Sequence, residues 1–120
     1  MKPHGTVTAA NASYLTDGAS ACVIMTEEKA KQLGLRPKAY LRDFLYVSQD
    51  PIDELLLGPA YGIPKLLTKA GLSSSDIATW EVHEAFAGQI LANLKALDSD
   101  YFCQKHLGLK QKFGSIDMTK

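Results

Sequence analysis

Only two cysteines, Cys22 and Cys103, occur in 120 residues. They lie far apart, with no Cys-x-x-Cys pair and no histidine at a zinc-ligand spacing, so the sequence spells out neither a disulfide framework nor a metal site. A reducing compartment is the default expectation. Long apolar runs are also missing; none approaches the roughly 18 residues that a membrane-spanning helix needs. Excess charge is absent, because 13 Lys and Arg balance 13 Asp and Glu. That balance removes the electrostatic case for nucleic acid or an anionic membrane as partner. The opening residues Met1-Lys2-Pro3-His4 show neither the apolar core of a signal peptide nor the Arg-rich amphipathic stretch of a transit peptide. No internal repeat or low-complexity stretch is found.

What is present fits an ordinary globular domain with a modest core, at 46% apolar and 22% charged residues. Residues 5–10, rich in Thr and Val, are expected to be extended. Asn11, Ser13, Thr16, Asp17 and Gly18 form a turn cluster, with Asn11 and Asp17 fixing the turn. The small and apolar run Ala19 to Met25 reads as a helix turn leading into a buried strand, which would make Cys22 an inert core thiol. Thr26 is placed to cap a helix whose first turn holds Glu27 and Glu28, and Gly34 to close it. After the break at Arg36-Pro37, residues 39–47 read as a strand with both faces partly covered. Asp50-Pro51 has the form of a helix start, Gly58-Pro59 of an interruption. Ile63, Leu66, Leu67 and Ala70 then follow helical spacing up to Gly71. Ser73 to Asp76 can turn the chain. Tyr101, Phe102 and Leu107 suggest a short helix around Cys103, and residues 114–120 show no periodicity and are expected to fray.

Alternating strands and helices imply βαβ units and a mostly parallel sheet with flanking helices. Three or four strands leave apolar faces to cover, so a partner or further chain is expected.

The most informative stretch is Trp80-Glu81-Val82-His83-Glu84-Ala85-Phe86-Ala87-Gly88-Gln89. Residues 77–82 read as a strand. Residues 86–97 read as an amphipathic helix with Phe86, Ile90, Leu91, Leu94 and Leu97 on one side. His83 and Glu84 therefore fall at a strand-to-helix turn, where open α/β sheets gather ligands and helix N-termini present free N–H groups. The ordinary alternative is a solvated turn for His83 and Glu84 and core packing for Phe86. No second histidine follows four residues after His83, which excludes the helical His-Glu-x-x-His zinc-protease pattern. His4 and His106 fit no catalytic motif.

His83-Glu84-Ala85-Phe86 resembles the Asn/His-Glu-Ala-Phe motif of the thiolase superfamily. Gly5-Thr-Val-Thr-Ala-Ala-Asn-Ala-Ser13 and Leu15-Thr-Asp-Gly-Ala-Ser-Ala21 resemble the end of the family's N-terminal half. Lys38 to Phe44, Tyr46 to Pro51, Leu55 to Pro59 and Gly88 to Asn93 are similar to its mitochondrial trifunctional-enzyme branch. The resemblance covers roughly residues 2–114. It implies an α/β, partial thiolase-like fold, with residues 1–35 ending the N-terminal half, 36–114 starting the C-terminal half and 115–120 a divergent tail.

The resemblance also implies chemistry. Thiolases transfer an acyl group between a cysteine and coenzyme A, using a cysteine nucleophile, a histidine base in Gly-His-Pro and a second cysteine in Cys-x-Gly. This sequence holds neither of the last two motifs. The family's nucleophile belongs upstream of the matching segment, so the isolated 120 residues are expected to be inactive. His83 takes the position that holds the oxyanion-site water or donates to the oxyanion. Glu84 would orient neighbouring groups, and Phe86 would line the acyl or pantetheine channel. Acyl-CoA and CoA are the implied substrates, in thiolytic cleavage of a 3-ketoacyl-CoA in fatty-acid β-oxidation. No metal or redox cofactor is implied. The implied partners are a second thiolase protomer, forming a homodimer, and the trifunctional-enzyme α-subunit. A mitochondrial location, with peripheral inner-membrane association of the parent complex, also enters by resemblance alone.

Overall fold

A computed structural model describes residues 4–119. The chain divides into two units: Leu15–Phe44, and the residues up to Tyr14 together with those from Leu45 onward.

The Leu15–Phe44 unit contains one helix, α1 (Glu27–Gln32). Its start follows the expected chemistry. The Thr26 side chain accepts from the Lys29 N–H at 3.2 Å, satisfying an otherwise free first-turn donor. Glu27 pairs with Lys31 at 2.8 Å, one turn on. Gly34, at φ +65°, reverses the chain after the helix, and its N–H and that of Leu35 bond back to Lys31 and Ala30. Ala30 is buried. The buried strand expected over 19–25 is not formed: Val23 and Ile24 are exposed, and so is the Cys22 thiol.

The other unit carries α2 (Gly58–Ala70), α3 (Ala87–Leu97) and α4 (Asp100–Leu107). Single turns of 3₁₀ helix lie at Ala9–Asn11 and Ser74–Asp76. Asn11 fixes its turn as expected: its side chain accepts from Thr8 N–H at 2.7 Å and donates to Thr6 O at 2.8 Å. Asp50 does cap its own turn, taking the Ile52 N–H at 2.7 Å, but only a turn follows. Gly58-Pro59 opens α2 rather than interrupting a helix. Proline near the first helical position has its φ preset and needs no N–H partner. No local side chain caps α2. That function comes from α3, where buried Asn93 accepts from Ala60 N–H at 2.8 Å and donates to Leu56 O at 2.9 Å and Gln89 O at 2.8 Å. Gly71 closes α2 at φ +67°, with its own N–H and that of Leu72 turned back onto the helix.

Ala60, Leu97, Phe102, Cys103 and Ile116 form the core between these helices. Leu97 sits in the α3 apolar stripe as expected, but Leu91 is 61% exposed, so the stripe is narrower than its spacing suggested. Cys103 is fully buried; its thiol lies 3.5 Å from Leu97 O and accepts the Phe113 N–H at 3.3 Å. Of the segment expected to fray, the described residues 114–119 include docked ones, and Lys120 lies outside the described residues. Ile116 is buried, Gly114 N–H donates to Leu97 O at 3.1 Å, and Lys112 pairs with Asp98 at 2.9 Å, holding that carboxyl below its usual range. A single apolar side chain placed correctly carried no periodic signal.

The parallel sheet is the main departure. Among the described residues there are no strands, only an isolated antiparallel bridge between Ala12 and Phe86. Residues 39–47 form no strand, and Tyr40, Leu41, Phe44 and Tyr46 are exposed. Residues 77–82 likewise form none. A strand differs from a merely extended chain by a neighbour about 4.8 Å away that takes up its N–H and C=O groups. No segment within these residues supplies that neighbour.

One polar cluster joins the turn before α2 to α4. The Tyr61 hydroxyl donates to the Glu54 carboxylate, 2.8 and 2.9 Å from its two oxygens, and lies 3.1 Å from His106 Nδ1. His106 stacks on Phe102 with ring centroids 5.0 Å apart. Partial burial, then the hydrogen bond and charge of Glu54, push the Tyr61 phenol up to about 12 from 10.0. The folded chain thus favours the neutral phenol. The stability this confers is complete below pH 10 and is lost as pH rises through about 12. Urea midpoints measured from pH 9 to 12 are expected to fall more steeply for the native sequence than for Tyr61→Phe; parallel slopes would refute the coupling.

Candidate functional site

The site begins where the chain leaves Ser74–Asp76 and runs to α3. Its ends are extended, with φ −88° and ψ 121° at Ile77 and φ −145° and ψ 136° at Phe86. In such a backbone successive side chains point to opposite sides. Trp80, Val82 and Glu84 line a cleft of about 150 Å³, closed from α2 by Pro59 and Ile63 and from α3 by Leu94. The intervening Thr79, Glu81 and His83 are exposed.

The structure therefore separates the adjacent pair. Glu84 reaches the mouth of the apolar cleft, while His83 is exposed and does not line it. Phe86 does not line the cleft either. It is half-buried and stands at the N-cap of α3, with an extended backbone. No side chain caps that helix end. The Gln89 and Ile90 amides donate to Phe86 O, and among the described residues those of Ala87 and Gly88 have no partner; the positive end of the helix dipole favours negative charge there. His83 and Glu84 do not converge on one cavity.

Residues from the chain's beginning hold the motif. Ser13 N–H donates to Ala85 O at 2.9 Å, and Ser13 Oγ donates to Glu84 O at 2.6 Å. Ala12 forms the bridge to Phe86. These partners lie about 70 positions from the motif, and nothing local in either segment marks the pairing. Asn93 was detectable in principle, as the one polar residue three places after Ile90 and one before Leu94 on an otherwise apolar face. Trp80 reaches the cleft wall through the alternation of the extended chain. Its indole N–H is buried without a partner among the described residues.

Among the described residues, no group of three His, Cys, Asp or Glu side chains is placed to hold a metal ion. No helix among them is long and apolar enough to cross a membrane. Cys103 is enclosed in the core, and Cys22 belongs to the Leu15–Phe44 unit.

Two family models match the chain in sequence order. The model described as thiolase, N-terminal domain, matches residues 1–28, and that described as thiolase, C-terminal domain, matches residues 35–115. The chain belongs to the thiolase family, and with it to the thiolase-like α/β fold. Within the family it is 68% identical over all 120 residues to a probable 3-ketoacyl-CoA thiolase of Caenorhabditis elegans, covering 27% of that protein. It is 68% identical over 120 residues to the mitochondrial trifunctional enzyme subunit beta of Bos taurus, covering 25% of it. A 3-ketoacyl-CoA thiolase of Yersinia enterocolitica is 49% identical over 119 residues, 99% of this chain and 27% of the relative. The chain spans about a quarter of the length of these curated relatives.

Proposed function

We propose that these residues are the central part of a 3-ketoacyl-CoA thiolase, an acyltransferase that cleaves 3-ketoacyl-CoA with CoA in mitochondrial fatty-acid β-oxidation. The observation that carries the reading is the ordered match to both thiolase halves, which meet between residues 28 and 35 of one short chain. We read residues 1–35 as the end of the first half, 36–114 as the start of the second and 115–120 as a divergent tail. The segments 39–47 and 77–82 act as strands of a mostly parallel sheet once neighbours are supplied.

His83 contributes to the oxyanion site. It donates to the thioester oxygen directly or holds a water that does so, close to the uncapped start of α3. Glu84 orients this region from the cleft mouth, and Phe86 borders the acyl or pantetheine channel. The reaction needs a thiolate nucleophile and a base, which other parts of a thiolase supply; no metal or redox cofactor takes part. A second thiolase protomer and a trifunctional-enzyme α-subunit are the partners, at the inner mitochondrial membrane.

Thiolysis of a long-chain 3-ketoacyl-CoA, followed through loss of the substrate's enolate absorbance, tests this division of labour. The 120-residue chain is expected to show no turnover, and a full-length thiolase containing it to be active. Turnover by the purified 120 residues would place the nucleophile on Cys22 or Cys103 and overturn the reading.

A second reading is favoured by the exposed apolar side chains Tyr40, Leu41, Phe44 and Tyr46. In it, the chain is a non-catalytic fragment that binds a thiolase partner.

A further inference from the structure

We propose that Ser13 is a positioning residue for the His83-Glu84 motif. The inference rests on the motif having the oxyanion role given above. Ser13 lies 71 positions from Glu84, yet it grips two consecutive carbonyls of the motif: Oγ–H to Glu84 O at 2.6 Å and N–H to Ala85 O at 2.9 Å. Next to it, Ala12 pairs antiparallel with Phe86.

The gripping loop is itself prebuilt. Thr8 and Asn11 exchange side-chain and backbone hydrogen bonds in a reciprocal cap, and Asn11 Nδ2 ties back to Thr6 O. The loop therefore presents Ser13 with its direction already set. On the other side, among the described residues, the backbone of His83 and Glu84 makes no other hydrogen bond. Fixing two successive carbonyls fixes the peptide planes between His83 and the start of α3. An oxyanion donor must be held to within about 0.5 Å, so the backbone that carries it has to be held as well. Ser13 supplies that hold with one side-chain and one main-chain donor. Because Ser13 is exposed, its hydroxyl bond competes with water, and the expected effect lies at the lower end for outer-shell partners.

A double-mutant cycle in a full-length thiolase carrying these residues tests the proposal, with kcat and KM measured for thiolysis. Ser13→Ala is expected to lower kcat by about tenfold with KM nearly unchanged. Ser13→Thr, which keeps a hydroxyl, is expected to retain most activity. His83→Ala alone lowers kcat, and adding Ser13→Ala to it has little further effect, because Ser13 acts through the motif. Should Ser13→Ala fail to fold, Ser13→Cys, with its weaker donor, carries the same comparison.

Three results overturn the proposal: native kcat in Ser13→Ala, an equal fold-loss from Ser13→Ala with and without His83, or no rescue by threonine. If His83→Ala itself keeps native kcat, the motif reading fails, and the role of Ser13 falls with it.

Discussion

Replacing His83 by alanine in a full-length thiolase that carries this segment is expected to lower kcat by about 10²–10³. The loss corresponds to roughly 2.7–4 kcal/mol of barrier, the usual cost of removing one preorganised oxyanion donor. That the loss should fall on turnover and spare the fold follows from geometry. His83 is exposed in an extended segment a few residues before an uncapped helix start, so its removal opens no core cavity. The fold should survive, and the defect should fall on turnover. Far-UV circular dichroism and the melting temperature, measured beside kcat, separate the two. His83→Asn is the conservative partner, since asparagine stands at this motif position in many thiolases; it should recover most of the activity. Native turnover in His83→Ala would remove the residue from the oxyanion site. Loss of activity accompanied by a collapsed melting transition would make its role structural instead.

Replacing Asn93 by alanine has the largest expected effect on stability, a loss of about 2–4 kcal/mol. Asn93 is 3% exposed and makes three hydrogen bonds at 2.8–2.9 Å. Two of them satisfy backbone groups at the start of α2, Ala60 N–H and Leu56 C=O. Truncation leaves both without their partner, at about 1–3 kcal/mol for the buried Ala60 N–H and at the lower end of that range for the half-buried Leu56 C=O. Asn93→Asp should not rescue: it keeps an acceptor for Ala60 N–H but loses both donors and buries a charge. Urea unfolding followed at 222 nm measures the change. A shift below about 0.5 kcal/mol would mean that water replaces the amide at the start of α2. The consequence reaches the candidate site, because Pro59 and Ile63 of α2 form one wall of the cleft whose mouth Glu84 occupies.

The ends of the helices were legible because their chemistry is local. The hydroxyl of Thr26 finds the amide three residues on, and Gly34 and Gly71 adopt the positive φ that other residues avoid. The α3 stripe was legible from spacing, except for Leu91, because periodicity marks a face but not how wide a partner covers it. Asp50-Pro51 misled for a related reason. It carries a valid cap, but caps permit a helix without extending it, and the longer-range bond from Asn93 favours a start at Gly58. The tail misled because one apolar residue, Ile116, suffices to dock a segment.

The motif itself was visible as letters. Its placement was not, because the alternation that sends Glu84 toward the cleft sends His83 the other way.

By itself, the sequence determined the family, the approximate positions of α1 to α4 and the identity of the motif residues, since each depends on neighbours a few positions apart or on a matching string of residues. Only the tertiary structure decided that Asn93 caps α2, that Ser13 holds Glu84 and Ala85, and that residues 39–47 and 77–82 form no strands here. These depend on groups 33 to 72 positions apart or on a neighbouring strand, and a hydrogen bond across that separation leaves no local mark in the chain.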